Sequence, residues 1–337
     1  MLHKSETNTS LPFFKQANLK HSNSSILLER RIVDFSSERS IKKTAQAITE
    51  HYGFELSTSA ITKITHATTK EAKEFNSTVA SSEEKKPLLV VQMDGSMVPI
   101  VNYEEPTAEQ LKQGLKRNRD CHWKEFRLCS VSIPEIVSKL YGVVLGSPLE
   151  AGCMMHQTCN LMGMNEHTHI HGVADGAPWI ADQYEEQFGM NHDFYIDFYH
   201  VSEYLAEASK ELDAGSLQGL TASEWLSSRK ELLLKGSVDS VIEELANLSG
   251  DQRTENAINK AYHYLVNRAE HLNYIDALAA KLPIGSGEVE SGHRSVLQAR
   301  LKKPGAWWRL DNAENMAHLK VLQENGHWEE FWQQKAA

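Results

Sequence analysis

Leu88-Leu-Val-Val-Gln-Met-Asp-Gly-Ser96 decides how this chain is read. An apolar, valine-rich run that follows a polar segment and ends in an acid and a glycine predicts a central strand presenting Asp94 at its end. Val98-Pro-Ile-Val101 comes directly after it and reads as an adjacent antiparallel strand. Trp123-Lys-Glu-Phe-Arg-Leu-Cys-Ser-Val131 alternates well enough for a third strand. The run over 167–176 reads as a fourth that ends in a second Asp-Gly, at Asp175. Asp193-Phe-Tyr-Ile-Asp-Phe-Tyr-His200 reads as a fifth, passing into a helix over 201–212. Strands mixed with helices in this way predict an α/β fold.

Outward from this core, residues 1–25 are polar and read as a poorly ordered N-terminus. Residues 26–75 carry three helical patterns, with Ser40 as an N-cap and Gly53 as a stop. Helix, glycine turn and Ser-capped helix form the pattern of a helix-turn-helix region, whose outward face would offer Lys63, His66 and Lys70 to DNA. A small helical bundle with a solvated face fits the same pattern. Residues 76–86 read as a linker, and 87–212 as the first part of a sheet domain. Residues 213–282 read as a helical insertion that includes one long helix over 254–280. Gly-Ser-Gly at 285–287 breaks the helical run, and 283–337 reads as the C-terminal part of the sheet domain.

The 337 residues carry a formal charge of −10, which argues against a protein that simply coats DNA. They include no membrane-length apolar run and no signal-peptide core, and the four cysteines are few for the length, so a soluble cytoplasmic protein with reduced thiols is expected.

Two strand-end acids and a glutamate opening a late helix form a set able to hold two Mg²⁺ (or Mn²⁺) ions for in-line displacement at a phosphodiester. Taken singly, each piece has a plainer meaning, since Asp-Gly is a turn signal and a first-turn glutamate offsets the helix dipole. The order of the pieces is what joins them. Cys153, His156, Cys159, His167, His169 and His171 offer a rival zinc chemistry, but their spacing matches no closed zinc pattern well.

The ordered set resembles the DDE transposases of bacterial insertion sequences, most closely the ISKra type. The matching segments are Met93-Asp-Gly-Ser96, Trp123-Lys-Glu-Phe-Arg127, Ala174-Asp-Gly-Ala-Pro-Trp-Ile180, Asp197-Phe-Tyr-His-Val201, Ile284-Gly-Ser-Gly-Glu-Val-Glu-Ser291 and Asn325-Gly-His-Trp-Glu-Glu-Phe-Trp332. The resemblance implies a ribonuclease-H-like mixed sheet interrupted by a helical insertion. It implies metal-dependent DNA cleavage and strand transfer, with DNA (element ends and target) as partner, a homo-oligomeric synaptic complex and a bacterial cytoplasm. It assigns Asp94, Asp175 and Glu290 as the catalytic, metal-binding acids, with Glu288 as rival for the third place and Asp197 as rival for the second. Asp197 with His200 resembles the accessory motif of such enzymes. Beside Glu290, Arg294, Arg300, Lys302 and Lys303 with Trp307, Trp308 and Arg309 form a basic, aromatic strip suited to a DNA backbone. The family often carries a longer N-terminal region than this chain. An inactive or domesticated relative that only binds DNA, or a nuclease with the same core, would fit the same residues.

Overall fold

The computed structural model describes residues 24–106, 109, 112–113, 118–249 and 255–337. The expected disorder of the N-terminus falls almost wholly outside them. Leu88 to Tyr103 form a single strand, β1 (Leu88–Tyr103), in place of the two strands expected there. Asp-Gly-Ser at 94–96 makes no turn, and Gly95 lies flat against the Glu125 side chain of the neighbouring strand, where a Cβ would collide. The remaining strands are β2 (Arg119–Ser132), β3 (Lys139–Val144), β4 (His169–Ala174) and β5 (His192–Ile196). They form one mixed sheet in the order β3-β2-β1-β4-β5. β2 and β3 pair antiparallel, whereas β4 runs parallel to both β1 and β5.

The chain divides into two compact units. One comprises residues 80–97 and 124–294, the other 1–79, 98–123 and 295–337. Residues 295–337 therefore group with the N-terminal helices, whereas the sequence division joined them to the sheet.

In the sheet unit, helices α4 (Pro148–Met162), α5 (Pro178–Phe188) and α6 (Phe198–Glu211) follow β3, β4 and β5. Ser147 and Glu150 close a capping box at the start of α4. Leu89, Val91 and Met93 of β1 share a buried core with Met155, Tyr184 and Leu205 of these helices. Tyr184 donates 2.8 Å to the Val91 carbonyl, and its ring occupies the space that any side chain at Gly172 would need. A glycine at this point of β4 is thus a packing requirement.

The insertion contributes α7 (Ala222–Leu234), α8 (Val238–Leu248), α9 (Ala257–Val266) and α10 (Ile275–Ala279). The single helix expected over 254–280 is broken between α9 and α10, where a 3₁₀ turn occupies Ala269–His271. Asn267 caps α9, and the Asn273 side chain bonds the Ile275 amide ahead of α10. Local bonds of this kind compete with a continuous helix. After α10 comes α11 (Gly287–Gly292), which runs on as π-helix over His293–Gln298.

In the other unit, α1 (Ile26–Glu38), α2 (Ile41–Tyr52) and α3 (Thr58–Asn76) close around Ile32, Ile48 and Ile61. Ser25, Ser40 and Ser57 cap them, and Gly53 ends α2 in the left-handed conformation at φ 72°. The C-terminal helices α12 (Leu310–Glu324) and α13 (Trp328–Ala336) are tied to this trio by Lys73–Glu314 at 2.7 Å and by ion pairs from Arg30 to Glu329, Lys320 to Glu38 and Lys335 to Glu71. No helix among the described residues is long and apolar enough to cross a membrane.

Candidate functional site

The register of the three parallel strands sets the site. Met93 of β1 pairs with Ala174 of β4, and Ala174 with Ile196 of β5. The next residue on each strand is an acid: Asp94, Asp175 and Asp197. Three carboxylates thus stand in one row across three adjacent strands, Asp94 within β1 and Asp175 and Asp197 just past the ends of β4 and β5, spaced about 4.8 Å per strand along the sheet. Asp94 and Asp175 feel each other. Burial raises the Asp175 pKa, the Ala177 amide pulls it down, the Asp94 carboxylate raises it further, and His200 and Arg268 lower it. A carboxylate in these surroundings favours an added positive charge.

Asp197 has a different role from the other two acids. It is 1% exposed, and both of its oxygens are fully engaged. Oδ1 caps α6, accepting from the amides of Tyr199 at 2.6 Å and His200 at 3.3 Å. Oδ2 accepts from the Ser286 amide at 2.7 Å and from its hydroxyl at 2.5 Å. Asp197 therefore fastens the loop before α11 to the end of β5. Gln92, buried in β1 two residues before Asp94, holds the same loop from the other side. Its Oε1 accepts from the amides of Glu288 and Val289, each at 3.0 Å, and its Nε2 donates 3.2 Å to Gly285 O. These bonds supply the partners that the first amides of a helix lack.

The start of α11 is thus fastened to β1 and to the end of β5. Ligand atoms of Glu290, Asp197 and His200 all lie within 4.8 Å of one another. Glu290 is exposed, whereas Glu288 buries an Oε2 that has no hydrogen-bond partner among the described residues. One helical turn after Glu290, His293 has a side chain only 4% exposed, with Nε2 3.1 Å from Asp94 Oδ2. Neither of its ring nitrogens makes a hydrogen bond of ordinary geometry. Orphaned buried polar atoms of this kind are costly, and they fit a site that receives a cation. From the insertion, Arg268 donates 2.7 Å to the Gly176 carbonyl, and a side chain at Gly176 would run into it.

Gln92, Arg268, Ser286 and His293 were not singled out as site residues from sequence. Gln92 was marked by being the one polar residue inside the apolar run before Asp94. The others left no local signal, because their partners lie far away in the chain.

The remaining sequence candidates are dispersed. Lys63, Lys70 and Arg294 are exposed. His66 is half-buried, and burial together with Arg309 lowers its pKa. Lys303 donates to the Glu38 carbonyl, and Lys302 is half-buried. Arg300 has to leave the list of surface cations. It is 6% exposed, donates 2.7 Å to Ser36 O and stacks 4.5 Å over the Trp308 ring, and burial lowers its pKa to about 10. Trp308 is likewise structural, bonding Leu301 O at 3.2 Å, while Trp307 is exposed beside exposed Trp123 with centroids 6.2 Å apart. The rival zinc residues have separate partners: His156 contacts Asn160, His169 pairs with Asp193 at 2.8 Å, and His171 bonds the Pro283 carbonyl at 2.7 Å.

No family model matches the chain. Over 161 residues it is 27% identical to the UPF0236 protein in the vanSb 3′ region of Streptococcus gallolyticus, a match covering 47% of this chain and 34% of that protein. A UPF0236 protein of Caldanaerobacter subterraneus subsp. tengcongensis is 28% identical over 159 residues, 47% of this chain and 31% of the relative. The match spans about a third of the length of these curated relatives. Among solved structures, the Drosophila P element transposase strand transfer complex aligns at a TM-score of 0.34 and 9% identity, over 97% of this chain and 84% of that one.

Proposed function

We propose that this chain is a DNA transposase of the DDE class, resembling the ISKra type, with a ribonuclease-H-like core. The observation that carries the proposal is the row formed by Asp94 within β1 and Asp175 just past the end of the adjacent parallel β4, together with the fastening of the start of α11, which carries Glu290, by the Gln92 and Asp197 bonds. Asp94, Asp175 and Glu290 would hold divalent metal, Mg²⁺ or Mn²⁺, in two positions. When bound, the ions activate the attacking oxygen and stabilise the leaving one at the scissile phosphodiester. The residues themselves do the positioning. Asp94 and Asp175 stand on adjacent strands, burial makes Asp175 ionise unwillingly, and Glu290 would close the set from a helix. Gln92 and Asp197 keep that helix start from drifting, since small displacements cost much in reactions governed by geometry. His200 stands with Glu290 and serves the same corner.

Exposed Lys63 and Lys70 on α3 of a helix-turn-helix region, together with exposed Arg294, are the cations available to DNA phosphates. The exposed Trp123–Trp307 pair suits base stacking. Element ends and target DNA would be held in a homo-oligomeric synaptic complex in the bacterial cytoplasm.

The test is incubation of the full chain with DNA carrying the sequences that flank its own gene, in Mg²⁺, followed by mapping of cut and joined ends. Asp94→Asn, Asp175→Asn and Glu290→Gln should each lower joining by at least about a hundredfold. Unchanged joining in any of them removes that residue from the site. Cutting without joining identifies a nuclease, and DNA binding without either identifies an inactive relative.

A further inference from the structure

We propose that His293 is a nitrogen ligand of the ion that Asp94 holds, making the metal centre a mixed carboxylate–imidazole site. The inference rests on the metal-centre reading above and adds a ligand that neither the resemblance nor the sequence supplied. Three observations carry it.

The first is burial. His293 is nine-tenths or more buried, yet Nδ1 has no hydrogen-bond partner among the described residues and Nε2 has only the Asp94 carboxylate near it, without a well-aligned hydrogen bond. A neutral imidazole has one donor and one acceptor nitrogen, and a structural histidine in a core satisfies at least one of them. His171, the comparable buried histidine on β4, does so at 2.7 Å through the Pro283 carbonyl. His293 does not.

The second is the geometry of its approach to Asp94. Nε2 and Oδ2 are 3.1 Å apart, close enough for a good hydrogen bond, but the oxygen lies off the ring N–H axis. Two groups at this distance without a well-aligned hydrogen bond leave room for an ion to be shared between them. Donors at neighbouring corners of an octahedron with bonds near 2.1 Å stand about 3.0 Å apart, close to the separation found here.

The third is placement. His293 follows Glu290 by three residues, a spacing that puts both on one face of the helical run that begins with α11. Glu290 meets Asp197 and His200 beside β5, and His293 meets Asp94 on β1. His293 is also the first residue of the π-helical stretch, a distortion often found where a side chain is aimed at a site. A single helix would then serve both ends of the acid row.

An imidazole in the set shifts preference toward metals that accept nitrogen, so Mn²⁺ should be held more tightly than Mg²⁺. Mn²⁺ also provides the readout. Full-length protein loaded with one equivalent of Mn²⁺ should show electron spin-echo modulation from a directly bound ¹⁴N. Growth on ¹⁵N-histidine should convert that modulation to the ¹⁵N pattern. His293→Gln should abolish it and weaken Mn²⁺ binding at least about tenfold, with the carboxylates still holding the ion. His200→Asn should leave the modulation in place. Absence of nitrogen modulation in the wild-type protein overturns the proposal, even if His293→Gln does not fold. Loss of modulation in His200→Asn with retention in His293→Gln overturns it equally. If the wild-type chain binds no Mn²⁺ at all, the metal-centre reading itself fails, an outcome distinct from bound Mn²⁺ lacking nitrogen.

Discussion

Asp175 shows at the scale of one residue how a buried carboxyl works against the fold. Its folded pKa lies above the ordinary carboxylate value, first because it is buried and also because Asp94 is beside it. A carboxyl whose pKa is raised on folding binds more protons in the native than in the unfolded state. Stability is therefore lost as pH rises through that folded pKa, and at neutral pH the ionised group works against the fold. Asp175→Asn keeps an acceptor for the Ala177 amide and removes the charge, so the metal-free variant should melt above the wild type at pH 7. The difference should vanish below pH 4, and Mg²⁺ should raise the melting temperature of the wild type alone. A metal-free variant that melts lower would show Asp175 to be an ordinary turn residue. The strands that carry Asp94 and Asp175 could be read from sequence because each acid follows an apolar run and precedes glycine. The same Asp-Gly signal misled at 94–96, where a turn was expected and the strand runs straight on. Gly95 leaves room there for the Glu125 side chain of the neighbouring strand, a contact no local pattern reveals.

At the scale of the element, α11 illustrates how a short helix is placed by groups outside it. It has six α-helical residues and no side-chain cap of its own, and Gln92 and Asp197 supply what it lacks. The helix runs on through His293–Gln298, so these bonds fix where its first turn sits. Asp197→Asn turns an acceptor of two donors from Ser286 into a group that must offer its own N–H to one side of the clip. It also loses the charge that strengthens the α6 cap. The variant should be destabilised by about 3 kcal/mol in urea unfolding and should lose Mg²⁺ affinity although the three proposed ligands remain. Wild-type metal affinity in a folded Asp197→Asn protein would sink the clip as a positioning device. This part of the site was only half legible. The Gly-Ser-Gly break and the glutamates were visible at 285–290, but the choice between them was not. Glu290 joins Asp197 and His200, while Glu288 turns an unpartnered oxygen inward. Which face of a helix meets a site depends on how its start is held, and here residues nearly two hundred positions away in β1 decide that.

At the scale of the whole molecule, sequence order and spatial grouping part company. The aromatic tail looked like an end of the sheet domain, yet α12 and α13 pack with α1 and α3 through complementary ion pairs and the Phe75–Phe331 contact, centroids 5.6 Å apart. Pairing between distant helices of matched charge leaves no trace in local periodicity, which is why the sequence does not reveal this grouping. This grouping has a pH signature of its own. His318 on α12 accepts 2.9 Å from the Asn76 side chain at its carbonyl, and its ring is held neutral with a pKa lowered to about 4, mainly by burial and further by Lys73. Its unfolded value is 6.5. Between these values the unfolded chain binds the extra proton, so stability is intact above about pH 6.5 and drains away as pH falls toward 4. At 1.36 kcal/mol per unit, the loss at the acid end is about 3 kcal/mol. Trp123, Trp307, Trp308, Trp328 and Trp332 lie in this unit and only Trp179 and Trp225 in the other, so tryptophan fluorescence follows mainly the unit that holds His318. Urea midpoints read this way at pH 7.5 and 4.5 should fall steeply for the wild type and much less for His318→Gln. Equal slopes in the two proteins would move the acid sensitivity to other groups and leave His318 without a part in joining α12 to α3.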